Sequence, residues 1–288
     1  MSCTAPVLVK SKPTPDHPHG EMVRVPCGRC PECLNAKRTA WAYRIQKEML
    51  SHKAPTFFFT ITYDDDHIPL KNGIPTVSKP SVQKFLKRLR KSLWTDFQVR
   101  LRYFIAAEYG PTTDRPHYHG FLFGLNLEQE VVDRYVRDAW PLSSVIDVQY
   151  CDLQTSVYAV KDLIAVSDYP DGADPTFYLR STRPGLGALW TPPARTLDKY
   201  DPRRLTERQP GGANVLIPRY LIERWYSAYD LKQIRARARQ DRGDEPDLYE
   251  RSLQYQIVEE AHDAAAFIRM RDRILRRFKD KRSKSSKI

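Results

Sequence analysis

The segment Arg115-Pro116-His117-Tyr118-His119-Gly120 carries two imidazoles one residue apart. On an extended strand side chains alternate between faces, so His117 and His119 project to one side and Tyr118 to the other. Two adjacent imidazoles can share one divalent cation, and a carboxylate on a paired strand can add a third ligand. Glu108 lies at that level on the preceding strand, across a turn over residues 110–114. A His, His, Glu set leaves coordination positions open for a phosphate oxygen and water. Two histidines on a strand are also ordinary polar surface, and H-x-H alone does not separate the two readings. The carboxylate on the paired strand favours the metal.

A cation held there polarises a phosphate but still needs a nucleophile. Tyr158 lies on a predicted helix with Lys161 three residues on, which puts both on one helical face. A phenol that attacks phosphorus forms a phosphotyrosine link and frees a 3′-hydroxyl, while the ammonium stabilises charge on the phosphate. With 16 tyrosines in the chain, a half-buried helix aromatic is the ordinary role for any one of them. The position of Tyr158 downstream of the histidine strand is what singles it out.

A second constellation is Cys27-x-x-Cys30-x-x-Cys33, with Cys3 available as a fourth thiolate. That spacing suits tetrahedral Zn²⁺ in a structural role, against free thiols or a cluster of another kind. Cys151 reads as a small buried hydrophobe. Cationic side chains that can follow a DNA backbone include Lys84, Lys87, Arg88, Arg90 and Lys91 on one helix. Arg100, Arg102, Arg115, Arg180 and Arg183 lie near the histidines in sequence or motif order, and the run from Arg269 to Lys287 is the densest positive block. Each such patch is also an ordinary solvated face. Tyr103, Phe104, Tyr109 and Phe121 can stack bases, although most read as core.

The elements that must position these residues follow from periodicity. Residues 32–51 read as an amphipathic helix, and Thr56 to Tyr63 (TFFFTITY) as a strand. Residues 78–94 are helical, with Val82, Phe85, Leu86, Leu89 and Leu93 at helical spacing behind Ser78. Strands over 100–109 and 117–124 flank the turn. A helix over 127–140, a strand over 144–149 and a helix over 153–166 complete the pattern. Strand–helix–strand–strand–helix–strand predicts an α+β fold, an antiparallel sheet with helices on its faces, of the ferredoxin-like or RNA-recognition-like kind. Residues 1–30 read as irregular, 168–209 as loop-rich, and 218–239 and 247–278 as helices before a basic tail. The expected division is a Cys-rich N-terminal segment and helix over 1–54, a core over 55–190 and a basic C-terminal region over 191–288.

Composition points the same way. The 288 residues hold 47 Lys+Arg against 35 Asp+Glu, a formal net charge of +12, and that excess favours a polyanion as partner. No apolar run approaches the ~20 residues that span a bilayer, and the first residues lack the apolar core of a secretory signal. The expectation is a protein of the cytoplasm, with no membrane partner. Five cysteines, four of them within the first 33 residues, fit a metal site in a reducing compartment better than a disulfide framework.

TFFFTITYDD, EYG…RPHYHGFLFG and YAVK, in this order, resemble the three motifs of the HUH superfamily of replication initiators. The wider pattern is similar to the replication initiation protein of gokushovirus-type microviruses, small single-stranded DNA phages. It includes CGRC-x-x-C ahead of a helix with A-W-A-x-R, then KFLKRLRK and, after the tyrosine helix, PGLG. The likeness runs over residues 24–190.

It implies an HUH endonuclease core that binds Mg²⁺ or Mn²⁺ through Glu108, His117 and His119, with Tyr158 as nucleophile and Lys161 as the motif lysine. It also implies that the region of Phe59 to Tyr63 supports the site or contacts origin DNA. The implied reaction is metal-dependent nicking and joining of single-stranded origin DNA through a 5′-phosphotyrosine, the opening step of rolling-circle replication. The chain departs from initiators that carry two tyrosines four apart, since Asp162 stands at the second position. A single-tyrosine cycle, or termination by a second protomer, follows. No G-x-x-x-x-G-K-[ST] motif is present, so the expected partners include a host helicase as well as a polymerase. Two rivals stand beside this reading: a relaxase or transposase of the same superfamily, and a non-catalytic, zinc-containing DNA-binding or packaging protein.

Overall fold

The computed structural model describes residues 3–13, 18–20, 22–110, 112–156, 160, 169–193, 196–208 and 214–241. These fall into two compact units: the described parts of Met1–Cys33, Leu197–Arg204 and Ala228–Ile288, and a second unit of Leu34–Thr196 and Leu205–Ser227.

In the first unit β1 (Val7–Lys10) pairs antiparallel with β2 (Met22–Val25). Residues 1–30 are therefore not wholly irregular, as the sequence reading had them. The alternating valines of both segments are the strand signal, obscured there by surrounding prolines and cysteines.

The second unit is built on one sheet. After α1 (Pro31–Leu50) come β3 (Thr56–Ile61), the short hairpin β4 (Leu70–Lys71) and β5 (Ile74–Pro75), and α2 (Lys79–Phe97). Then follow β6 (Arg102–Tyr109), β7 (Pro116–Phe123), α3 (Gln129–Ala139), β8 (Ile146–Tyr150) and β9 (Tyr178–Arg180). The strand order is β8-β3-β7-β6-β9, with every neighbouring pair antiparallel. This is the expected α+β layering, and the predicted strands and helices of this region sit within a few residues of their expected bounds. The fifth strand, β9, falls in the stretch read as loop. A three-residue strand is too short to show alternation.

The sheet has two different faces. Phe57, Phe59 and Ile61 of β3, Tyr118 and Leu122 of β7, and Ile105 and Ala107 of β6 are buried under α2 and α3. Helix α2 starts where Ser78 Oγ accepts from Ser81 N at 3.3 Å, and it stops where Gln98 turns left-handed. It presents Val82, Phe85, Leu86, Leu89 and Leu93 to the sheet, each fully buried and worth roughly 1.5–3 kcal/mol of apolar burial. On the opposite face Phe104, Ala106, Phe121 and Phe123 pack with Trp41 and Ile45 of α1 and with Val160 and Leu186.

Glu48, fully buried on α1, ties this second layer together. It accepts from Arg102 Nη2 at 3.1 Å and from the Gly187 amide at 2.7 Å, and it bonds His52 Nε2 at 2.9 Å. Burial alone pushes its carboxyl up, but the bonds from His52, Arg102 and Gly187 outweigh that and hold it at about 2. Arg102 is thus committed to a buried ion pair rather than open to a DNA backbone, a correction to the sequence reading.

The second unit also holds β10 (Thr206–Arg208), β11 (Asn214–Leu216) and α4 (Arg219–Trp225); α5 (Ala228–Gln240) belongs to the first. One continuous helix over 218–239 is thus two, broken at Tyr226 and Ser227. Ser227, a residue type that favours helix starts, marks the restart. The predicted helix over 247–278 and the basic tail lie outside the described residues, and no helix among the described residues is long and apolar enough to cross a membrane.

Candidate functional site

Register brings the chemistry together. In the β6–β7 ladder Glu108 faces His117 and Ala106 faces His119, and in the β3–β7 ladder Thr60 faces His119. Directly paired residues share a face, so the two imidazoles, Glu108 and Thr60 stand on the α1 side of the sheet. The hairpin that sets this register closes with Gly110 N on Arg115 O at 2.9 Å, beside Asp114 in a left-handed conformation (φ 50°). Gly120 is required next door. A β-carbon there would lie 2.5 Å from Phe104 O and 2.8 Å from the Phe59 ring.

The hydrogen bonds orient the rings. His117 Nδ1 lies 3.1 Å from Arg115 O, and a carbonyl only accepts, so the proton is on Nδ1 and the lone pair on Nε2. That Nε2 lies 3.8 Å from Glu108 Oε2. His119 engages Thr60 Oγ1 through Nδ1 at 2.8 Å. Phe58 stacks on the His119 ring, with centroids 5.8 Å apart and planes 12° apart. Burial lowers the pKa of His117, against the bond to Arg115 O; burial and then the charge of His117 lower His119 to about 4. Both rings are therefore neutral near pH 7, the form that binds metal.

One ligand atom from each of Glu108, His117 and His119 lies within 4.8 Å of the others. A cation bound about 2.0–2.5 Å from each ligand holds its ligands about 4–5 Å apart, so the donor set fits a divalent ion. Phe58 was missed in the sequence, and Thr60 stood there only within a supporting stretch, not as a partner of His119. The alternation of TFFFTITY carried the signal for both, because it turns Phe58 and Thr60 away from the face of Phe57, Phe59 and Ile61.

The remaining expectations fare differently. Tyr158, Lys161 and Asp162 lie outside the described residues. Val160 is described, and it is fully buried in the cluster on the histidine face. Lys84, Lys87 and Arg88 ride on α2, which covers the other face, so the structure does not bring them to the histidines; Arg88 Nε donates to Ala139 O at 2.8 Å. Arg115 pairs with Asp65 at 2.6 Å and donates to Tyr63 O. Phe104, Tyr109 and Phe121 are core rather than base-stacking surface, and Cys151 is buried as expected.

In the first unit Cys3, Cys27, Cys30 and Cys33 converge, their sulfur atoms all within 4.8 Å of one another. Cys27 Sγ lies 4.0 Å from Cys33 Sγ, and Cys30 Sγ 3.8 Å from Cys3 Sγ. Four sulfurs bound tetrahedrally at the Zn–S distance of about 2.3 Å stand about 3.8 Å apart, so the cluster fits zinc. Burial raises the Cys27 thiol, but the amides of Arg29 and Cys30 donate to its sulfur at 3.4 and 3.3 Å and bring it down to about 7. Cys33 is pushed up to about 12, first by burial, so without a cation the four thiols do not ionise together.

Three likenesses bear on this geometry. Residues 56–164, from β3 past both metal-ligand strands and through Tyr158 and Lys161, match the family model for replication-associated protein ORF2. The replication-associated protein ORF2 of Spiroplasma virus 4 is 33% identical over 105 residues, which cover 36% of this chain and 33% of that protein. The replication-associated protein VP4 of Bdellovibrio phage phiMH2K is 25% identical over 221 residues, 70% of this chain and 67% of that protein. The chain thus spans only about a third of the first of these relatives. Among solved structures, the N-terminal nuclease domain of minute virus of mice non-structural protein-1 covers 44% of this chain at 12% identity with a TM-score of 0.19, too low to carry an argument. The matched stretch and its relatives together place the chain in the replication-associated protein ORF2 family, among the replication initiators of microviruses.

Proposed function

We propose that the chain starts rolling-circle replication by nicking single-stranded origin DNA and later rejoining it, with its endonuclease core in residues 55–190. One observation carries the reading. Glu108, His117 and His119 offer three ligand atoms within 4.8 Å on the sheet face where Val160, two residues past Tyr158 in the chain, is buried. A Mg²⁺ or Mn²⁺ ion held by these three residues supplies Lewis acidity to the scissile phosphate.

The chain's own residues do the rest. The Tyr158 oxygen attacks phosphorus, the P–O3′ bond breaks, and the phenolic proton ends on the departing 3′ oxygen. The products are a 5′-phosphotyrosyl enzyme and a primer end. Because one ester replaces another, the reverse attack by a 3′-hydroxyl rejoins the strand. Lys161 stabilises the charge on the phosphate, and Arg115 contacts the backbone. The four-cysteine cluster holds a structural zinc that fixes the chain ahead of α1. Host helicase and polymerase, in the bacterial cytoplasm, complete the replication cycle.

The test is a covalent-adduct assay on origin-bearing single strands with Mn²⁺. Wild type is expected to form an adduct that Tyr158→Phe abolishes. An adduct that persists in the variant moves the nucleophile elsewhere, and no adduct from wild type on any origin strand leaves the non-catalytic DNA-binding reading standing.

A further inference from the structure

The face that carries the histidines also carries a group of cations without acidic partners, about two strand spacings away. Across the sheet, Tyr178 of β9 pairs with Ala106, which pairs with His119. At about 4.8 Å per strand, Tyr178 stands about 10 Å from His119 on the same side. The Arg180 guanidinium lies over both the Trp41 ring, at 5.1 Å, and the Tyr178 ring, at 5.3 Å. Arg44 lies over Trp41 as well, at 4.4 Å, and the Lys37 ammonium sits 5.2 Å from the Tyr178 centroid.

Aromatic faces fix a cation in place without neutralising it, as a carboxylate would. Among the described residues, no carboxylate forms an ion pair with Lys37, Arg44 or Arg180, and Glu48, one turn beyond Arg44, is taken up by Arg102, His52 and Gly187. Two guanidinia held against one indole repel each other, and each is stabilised by an anion placed between them. The opposite edge of the face has the opposite sign. Asp147 of β8 pairs with Thr60, so the row that runs through His119 begins with a carboxylate and ends with the cations.

We infer that Lys37, Arg44 and Arg180, held over Trp41 and Tyr178, form a subsite for a backbone phosphate of single-stranded DNA one or two nucleotides from the scissile bond, so that the strand leaves the metal centre over β9 rather than β8. The subsite reads no base, because its donors face phosphate oxygens. The inference rests on the nicking reading for the identity of the scissile bond, and on geometry for the rest.

The test is equilibrium binding of a labelled oligothymidylate, without added divalent metal, across a salt titration. Removing one phosphate contact from a single strand lowers the slope of log K against log salt by about 0.7. Lys37→Ala and Arg180→Ala are each expected to lower it by that amount and to weaken binding at low salt roughly fivefold. Arg180→Lys is expected to retain most of the slope, which separates lost charge from lost folding, and Lys37 is exposed, so its removal leaves the core intact. Arg134→Ala, on α3 across the sheet, is expected to change nothing. Wild-type slopes for Lys37→Ala and Arg180→Ala overturn the subsite. If wild type does not bind oligothymidylate, the subsite and the DNA reading fall together. If the slopes drop as expected while Tyr158→Phe still forms an adduct, the subsite stands and the assigned nucleophile falls.

Discussion

The Thr60 hydroxyl lies 2.8 Å from His119 Nδ1 across the β3–β7 ladder, and this bond sets the ring so that Nε2 is left for another partner. Residues that orient a ligating histidine typically matter about 10- to 100-fold for metal affinity. Thr60→Val keeps the shape of the side chain and removes the bond. Mn²⁺ titration of the variant is expected to show affinity reduced by about that factor, with the fold intact by circular dichroism. Unchanged affinity would remove Thr60 from the site.

Gly120 offers a test of the close approach beside His119. Alanine there drives a methyl group into the Phe59 ring and the Phe104 carbonyl, neither of which has room to retreat within the core. Overpacking of this kind costs about 1–3 kcal/mol. Gly120→Ala is expected to lower the urea midpoint with an unchanged slope, and an equal midpoint would mean that the sheet opens freely at this point.

Glu48 sets an acid limit on stability. Its carboxyl is held down at about 2 in the folded chain, so the folded state prefers the ionised form. Its contribution is complete above the ordinary carboxylate range, near pH 4.5, and is lost as the pH falls from there towards 2; linkage puts it on the order of 3 kcal/mol. Glu48→Gln is expected to be less stable than wild type at pH 7 and to lose less on acidification, so the two stability curves converge below pH 4. Parallel curves would show that the ion pair with Arg102 contributes nothing.

For the cysteines, elemental analysis of purified chain is expected to give one zinc per molecule, lost in Cys30→Ser. Because a folded thiolate site releases its metal as protons compete for sulfur, zinc retention is expected to fall steeply below neutral pH. A zinc content that survives Cys30→Ser would place the metal elsewhere.

Much of this was legible in the residues. Alternation in HYHG and TFFFTITY put the histidines on one face, and a short turn between two strands put Glu108 beside them. Both signals are local, which is why they carry. What failed to show depends on tertiary packing. Lys47 and Glu48 are charged residues on a helix that reads as amphipathic, yet both are buried, because Arg102 and Glu207 come from distant parts of the chain to meet them. Leu50 was assigned to the apolar stripe of α1 and is half exposed, since the helix ends there. The cationic face of α2 is real, but only the strand order shows that it lies across the sheet from the imidazoles.

The histidines ride on β7, the middle strand of five, whereas Tyr178 and Arg180 ride on the outermost. Amide hydrogen exchange in a sheet proceeds from its borders inward, with central strands opening only near global unfolding. Under mild denaturant the grip on a flanking phosphate therefore loosens before the imidazole pair does, and the protein passes through a regime in which it still coordinates its ion but no longer steers the strand.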